Sequence, residues 1–479
     1  MLSRERMIDR MNARDGTFDG RFITGVLSTG IYCLPSCKAR NPKPENVRFF
    51  PSEAAARAAG LRPCKRCRPD DFYRHRDPDL ERLEAAVMAL RRDPGQFPVV
   101  AALAGAAEVG SSKLHALVRH HYHTTPARLL TRARVAAAAR RLQEGDGAIT
   151  AIGFDVGYES LSSFHANFRR RMGLSPRAYR ALRGADTVAI HLPSTYPRQR
   201  TLAHLGRDPE SLTQRVRGAE ALLGVRLAGV PATLRIALEK GRARATITAR
   251  KPLGEGAAAE AHGQLLRILG LHASPTAFER RATADPALAP LVARRRGLRI
   301  PQLPQPFDAL VWTVLGQQIN LAFAFTLHRR LVERVGVPVG EGLYAPPTPE
   351  AIAALSVEAL HGVQYSRRKA EYLVELSRRV AAGLLPLDDL AAAPATRVEA
   401  ALLAERGVGP WSANYLLMRG YGFEDCVPLG DTGLTAGLVR LFQLPEKPER
   451  EAVVALMERF APYRSHATFY LWQSLEDPP

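Results

Sequence analysis

The feature that most constrains this chain is a pair of cysteine pairs, Cys33-x-x-x-Cys37 and Cys64-x-x-Cys67, which hold four of its five cysteines. Each pair can offer two thiolates from one turn. The loop between them can bring the pairs together, which is the ligand plan of a tetrahedral Zn²⁺ site. Clustered cysteines in a cysteine-poor chain argue for a metal and a reducing compartment rather than for disulfides. Around them, 22–27 and 47–50 read as short strands, and a helix is expected from Pro51 to about Ala59, capped by Ser52 and stopped by Gly60.

A chain of 479 residues implies about three or four domains at roughly 100–200 residues each. Lys and Arg number 67 against 47 Asp and Glu, a formal charge of +20 carried mostly by arginine. Such an excess points to a polyanion, and arginine forks match phosphate oxygens, so nucleic acid is the first candidate. The competing reading is a GC-rich genome that favours arginine and alanine codons. No N-terminal apolar run resembles a signal peptide, and no stretch is apolar enough to span a bilayer, so a cytoplasmic protein is expected.

Residues 78–183 read as helical throughout. Within them, 99–122 form a helix, a glycine-containing turn and a second helix capped by Ser111, and 148–171 repeat the plan. In the second copy Leu161, Phe164 and Phe168 share one helix face and should be core. Ser162, His165 and Arg169 share another and could meet a DNA groove, where serine and histidine can bond base edges and arginine guanine or phosphate. An ordinary helical bundle with a basic solvent face is the alternative. The stretch 153–179, ending Gly173-Leu-Ser-Pro-Arg-Ala-Tyr-Arg, resembles the AraC-type DNA-binding domain.

Gly30-Ile-Tyr-Cys-Leu-Pro-Ser-Cys-Lys-Ala-Arg and Arg62-Pro-Cys-Lys-Arg-Cys-Arg-Pro-Asp resemble the zinc domain of the Ada alkylation-response protein. The resemblance implies that Cys33, Cys37, Cys64 and Cys67 bind zinc and that Cys33 accepts a methyl group from a methylated DNA phosphotriester. Zinc would keep the sulfur as thiolate at neutral pH. Methylation would remove one negative charge from the site and so strengthen phosphate binding, a plausible switch for the neighbouring helix-turn-helix domain. A purely structural zinc is the alternative. Cys426 lies far away, no Pro-Cys-His segment occurs, and a core role is expected for it.

Period-two alternation predicts strands at 188–192, 234–238 and 243–248, and helical periodicity returns from about 257. Arg406-Gly-Val-Gly-Pro-Trp-Ser-Ala-Asn-Tyr ends one helix and starts another, and Gly407 and Gly409 free backbone N–H groups to approach phosphate. Asp431 follows in Val427-Pro-Leu-Gly-Asp-Thr-Gly-Leu. A helix-hairpin-helix followed by such an aspartate closely resembles the AlkA branch of base-excision glycosylases, the 3-methyladenine DNA glycosylase II family. That implies Asp431 as the catalytic carboxylate, stabilising an oxocarbenium-like charge and orienting water. An N-cap for the helix beginning at Thr432 is the structural alternative, and both can hold.

Trp411 stands where bifunctional relatives carry a Schiff-base lysine, and no lysine lies between Lys369 and Lys447. A monofunctional hydrolase follows. Trp411, Tyr415 and Trp472 match aromatic pocket positions suited to cationic alkylated purines, unless they are simply core. Leu315-Gly-Gln-Gln-Ile-Asn resembles the segment that fills the hole left by an extruded base, with polar Gln318 at the inserting position. The segment from Tyr196 offers only one ring where an aromatic cluster is expected.

The expected fold is multidomain, mainly α with a smaller α+β part. It comprises a small α+β zinc domain (1–76), a double helix-turn-helix domain (77–184), an AlkA-type N-terminal α+β domain (185–300) and an all-α helix-hairpin-helix domain (301–479). The expected function is excision of alkylated purines from double-stranded DNA by a monomer. Single-turnover methyl transfer and sequence-specific DNA binding in transcription regulation should accompany it. The rival is a methylation-switched regulator whose C-terminal half only binds damaged DNA.

Overall fold

Strand pairing near the N-terminus sets the cysteine pairs side by side. In the computed structural model, which describes residues 2–74 and 76–476, the chain separates into two compact units, Met1–Ala85 and Ala86–Pro479. The first carries a four-stranded sheet in the order Val47–Phe50, Ile23–Val26, Ile31–Cys33, Arg62–Pro63. The first three strands are antiparallel, and the last runs parallel to its neighbour, pairing Ile31 with Arg62 and Tyr32 with Pro63. The next residue on each strand is a cysteine, Cys33 or Cys64. The core beneath is small: Ile23, Tyr32, Phe50, Ala56 and Leu61. The predicted helix spans Glu53–Ala58, with the Ser52 side chain accepting from the Ala55 N–H, and Gly60 leaves it at φ +81°.

The second unit begins with the helix-turn-helix pair. Helices Val100–Ala106 and Ser111–Tyr122 form the first copy, Ile149–Asp155 and Leu161–Met172 the second, and Pro126–Glu144 joins them. The cap expected at Ser111 is not there. Glu108 takes the left-handed turn at φ 52°, which moves the boundary to Gly110, and Ser111 is already helical. In the second copy Ser160 caps the helix by accepting from the Ser163 N–H, and Phe164 and Phe168 are fully buried. A Cβ on Gly153 would come within 2.8 Å of the Phe164 ring, so glycine permits the close packing of the two helices.

Residues 187–249 form a five-stranded antiparallel sheet in the order Thr187–His191, Arg242–Ala249, Val230–Glu239, Glu220–Leu227, Gln214–Arg217, with helix Ala257–Ile268 packed against it. The last two strands escape the alternation rule. Glu220–Leu227 is buried along almost its whole length, because other elements cover both faces, so its apolar run never alternates. One of those elements is the hairpin Val337–Gly340 and Leu343–Ala345, which interrupts the C-terminal helices and buries Val339 and Leu343 against Leu222. The remaining helices include Pro306–Leu315, Leu321–Val335, Arg367–Ala381, Ala395–Leu403, Pro410–Leu416, Thr432–Phe442 and Arg464–Ser474. Among the described residues no helix is long and apolar enough to cross a membrane.

Candidate functional site

In the first unit the sulfur atoms of Cys33, Cys37, Cys64 and Cys67 all lie within 4.8 Å of one another, and those of Cys37 and Cys64 are 4.0 Å apart. A tetrahedral site with Zn–S bonds of about 2.3 Å needs sulfurs about 3.8 Å apart, so the cluster fits the ion. Two backbone N–H groups point at the sulfurs, Leu34 to Cys67 and Arg66 to Cys64, each at 3.4 Å. Such donors stabilise thiolates. Hydrogen bonds from the neighbouring thiols hold Cys37 far down, while the same crowding and burial push Cys33 up. Four sulfurs this close cannot all ionise unaided, and a dication resolves the conflict.

The cluster is braced from behind. Buried Tyr32 donates its hydroxyl to Asp70, which also pairs with Arg57. In front, Arg66 donates to the Lys38 carbonyl at 2.8 Å and so ties the two cysteine loops together. Lys38, Arg40, Lys65 and Arg66 are exposed around it, a cationic rim suited to a DNA backbone.

On helix Leu161–Met172, Ser162, His165 and Arg169 are exposed on one side while Phe164 and Phe168 anchor the other. That is the division of faces a groove-reading helix requires.

The C-terminal helices surround a cleft of about 1260 Å³. Asp431 lies in its wall and caps helix Thr432–Phe442, accepting at Oδ1 from the Leu434 N–H at 2.7 Å. Trp472 donates its indole N–H to the same oxygen at 2.8 Å, and Trp411 donates to Oδ2 at 3.0 Å. Capping and a poised carboxylate are thus combined in one residue. The three donors fix both oxygens with no cation in the set. Tyr415 stands between the indoles, its ring centroid 5.4 Å from that of Trp411 and 6.1 Å from that of Trp472. The three rings are neither isolated core residues nor remote from one another: all line the cleft.

The hairpin and the loop before it are joined. Gly407 turns at φ +88°, where a Cβ would sit 2.5 Å from the Tyr372 ring, and Gly409 is the N-cap of the Pro410–Leu416 helix. Gln317 donates its amide to the Gly407 carbonyl at 2.8 Å and to the Ser412 hydroxyl at 3.2 Å. Gln318 is exposed on the cleft wall in a left-handed conformation, φ 56°, between helices Pro306–Leu315 and Leu321–Val335. Buried Lys369 holds this loop from below. Its ammonium donates to the carbonyls of Val314 at 3.3 Å, Leu315 at 2.6 Å and Gln317 at 2.6 Å.

Sequence reasoning missed several groups here. Lys369 reads as one more cation on an amphipathic helix, Gln317 as a neighbour of Gln318, and nothing local marks Arg419. Yet Arg419 reaches the cleft, its guanidinium 5.8 Å from the Tyr415 ring and 6.0 Å from that of Phe469. The short segment Leu417–Tyr421, a wider turn continuing the hairpin helix, carries it inward. Arg207, from the sheet-bearing region, lines the same cleft. Tyr196 does not: it is buried, with its hydroxyl donating to the Leu269 carbonyl at 3.0 Å. Cys426 is a core residue as expected, its thiol pushed up by burial.

Comparison with known proteins agrees with this layout. The sequence matches the metal-binding domain of Ada over residues 6–70, a helix-turn-helix domain over 103–182, and the HhH-GPD superfamily of base excision DNA repair proteins over 311–462. It is 31% identical to a probable bifunctional transcriptional activator/DNA repair enzyme AlkA of Mycobacterium tuberculosis, over 99% of this chain and 97% of the relative. It is 36% identical to a DNA-3-methyladenine glycosylase of Bacillus subtilis, over 42% of this chain and 67% of that one. In fold, 60% of the chain superposes on 97% of a 3-methyladenine DNA glycosylase from Archaeoglobus fulgidus, with a TM-score of 0.53 at 24% identity.

Proposed function

This chain belongs to the family of bifunctional transcriptional activator/DNA repair enzymes of the AlkA type, and on that premise we propose that it hydrolyses alkylated purines from DNA and separately accepts methyl groups on Cys33. The observation that carries the first activity is Asp431, oriented by two indole N–H groups beside three clustered rings.

The aromatic wall of Trp411, Tyr415 and Trp472 suits a base swung out of the duplex, and an alkylated purine such as 3-methyladenine or 7-methylguanine brings positive charge to those ring faces. Gln318 would enter the duplex in its place and can hydrogen-bond the orphaned partner base. Gly407 and Gly409 let the hairpin approach the backbone. As the glycosidic bond lengthens, positive charge develops on the sugar, and the Asp431 carboxylate stabilises it. Water then adds at the sugar carbon, its proton passing to Asp431, and the neutral base departs with the bonding pair. Trp411 offers no amine for a covalent intermediate, so the backbone stays intact.

Arg207 and Arg419 qualify the preference for cations. Two guanidiniums in the same cleft lower the gain from a charged base and offer donors to carbonyl oxygens of neutral damaged bases.

In the first unit, zinc bound by the four cysteines would keep their sulfurs ionised at neutral pH. Cys33 Sγ attacks the methyl carbon of a phosphotriester. The S–C bond forms as the O–C bond breaks, and the phosphodiester leaves as an anion. The cationic rim of Lys38, Arg40, Lys65 and Arg66 binds the backbone on either side. The reaction is single-turnover, and the lost negative charge strengthens DNA binding.

The test is release of free 3-methyladenine from methylated duplex. Asp431→Asn should abolish it while leaving damaged-DNA binding in place. If the wild-type chain binds such DNA but releases no base, it is a damage-binding regulator instead.

A further inference from the structure

A second cavity, of about 710 Å³, lies within the second unit, between the helix-turn-helix helices, helix Ala257–Ile268 and the segment that follows the hairpin helix. Its charge is one-sided. Arg91, Arg132, Arg140, Arg171 and Arg267 line it, and Glu424 is the only carboxylate among the described residues that do. Glu424 is already engaged: Arg128 grips both its oxygens, at 3.0 and 2.6 Å, and Arg132 donates to one at 3.1 Å. Its charge is therefore shared between two guanidiniums before the others are counted.

The others have no ion-pair partner among the described residues. Arg91 donates to the Ala392 carbonyl, and Arg267 to the carbonyls of Leu303 and Gly420. Among the described residues no carboxylate pairs with either. Among the described residues the Arg171 guanidinium has neither an ion pair nor a hydrogen bond. Burial first, then Arg132 and Arg128, push its guanidinium down to about 9, and burial pushes Arg267 down to about 10. Burial and then Arg171 also hold His272 far below the usual imidazole range. The Thr124 hydroxyl and the Arg132 Nε are buried here without partners. Half-buried cations crowded together cost free energy unless an anion compensates them. Guanidinium forks converging on one volume match phosphate oxygens better than a single carboxylate. The volume lies within the roughly 300–1,000 Å³ of small-molecule sites.

We propose that this cavity is a binding site for a small phosphate-bearing anion, up to the size of a nucleotide, held by Arg171 with Arg132, Arg267 and Arg91. The site is separate from the glycosylase cleft, shares no residue with it, and joins the helix-turn-helix helices to the C-terminal helices. An occupant would lock these two DNA-handling parts together.

The experiment is calorimetric titration of the full zinc-loaded chain with inorganic phosphate, pyrophosphate and ATP, at constant ionic strength set by a chloride salt. Saturable binding of one anion per chain is expected for at least one of the three. Arg171→Met should weaken it at least about tenfold, the loss of one charge-assisted contact. Removing an uncompensated buried cation should also raise the melting temperature in the absence of anion, so the variant's fold and its binding are read separately. Arg170→Ala, exposed on the same helix, should bind the anion as the wild type does. Competition by duplex DNA would identify the occupant as backbone phosphate. Undiminished binding in its presence would identify a free anion. Absence of saturable binding by all three probes, wild-type affinity in Arg171→Met, or loss of affinity in Arg170→Ala would overturn the proposal.

Discussion

Trp472 donates its indole N–H to Oδ1 of Asp431 at 2.8 Å, from a helix that begins more than thirty residues after the carboxylate. Under the proposed mechanism, helix Arg464–Ser474 is thus part of the reaction centre. Trp472→Phe keeps a ring and removes the donor. Hydrogen bonds to a charged group contribute about 1.5–3 kcal/mol, so base release should fall about 10–100-fold. Single-turnover rates on methylated duplex measure this, and a rate equal to wild type would show that the indole N–H does not matter.

Lys369 gives the excision rate an alkaline limit. Burial pushes its ammonium down to about 8 from a usual 10.5. The charged form has three N–H groups for three carbonyls; the neutral amine has two. In the unfolded chain the proton stays on to near 10.5, so between about 8 and 10.5 the unfolded state binds more protons and global stability gains from this group as pH rises. The loop carrying Gln318 loses a hydrogen bond over the same window. Excision should therefore decline above pH 8 while the melting temperature does not. Lys369→Met should be slow at every pH and show no such limb.

Cys33→Ala should abolish methyl uptake and leave base release within about twofold, as expected of independent sites in separate compact units. A chelator should reproduce that split, removing methyl uptake but not excision. Zinc content by atomic absorption and incorporation of labelled methyl groups measure the two halves.

Glu424 is 3% exposed in its side chain and paired with Arg128 and Arg132, which are 40% and 29% exposed. Burial alone would raise its pKa, but Arg128, His466 and Arg132 hold it below the usual 4.5. Its stabilising contribution is thus present above pH 4.5 and is lost as pH falls through its lowered value. Glu424→Gln should destabilise the second unit by about 1–3 kcal/mol. That is less than the roughly 3–5 kcal/mol of a fully enclosed pair, because water reaches the arginines. The difference in urea midpoint between wild type and variant should be full at pH 7 and shrink as pH falls below 4.5.

Local chemistry made much of this legible in advance. The spacing of Cys33, Cys37, Cys64 and Cys67 encodes a cluster because each pair occupies one turn. Phe164 and Phe168 encode a buried face because they lie four positions apart on a helix. What stayed hidden depends on contacts between distant segments. Glu220–Leu227 does not alternate because a hairpin more than a hundred residues later covers it. Lys369 looks like a surface cation until the carbonyls it serves are brought against it. Gly110 rather than Ser111 caps its helix because the preceding left-handed residue, Glu108, shifts the boundary.

Gln317 bonds the hairpin at two points, so the tip beside it and the turn that would hold the DNA backbone form one stiff piece. A wedge fixed to its own clamp cannot be withdrawn while the clamp slides. If Gln318 wedges the duplex as proposed, the enzyme would inspect base pairs by landing and leaving as a whole, and its search for damage would be paced by how often it lets go.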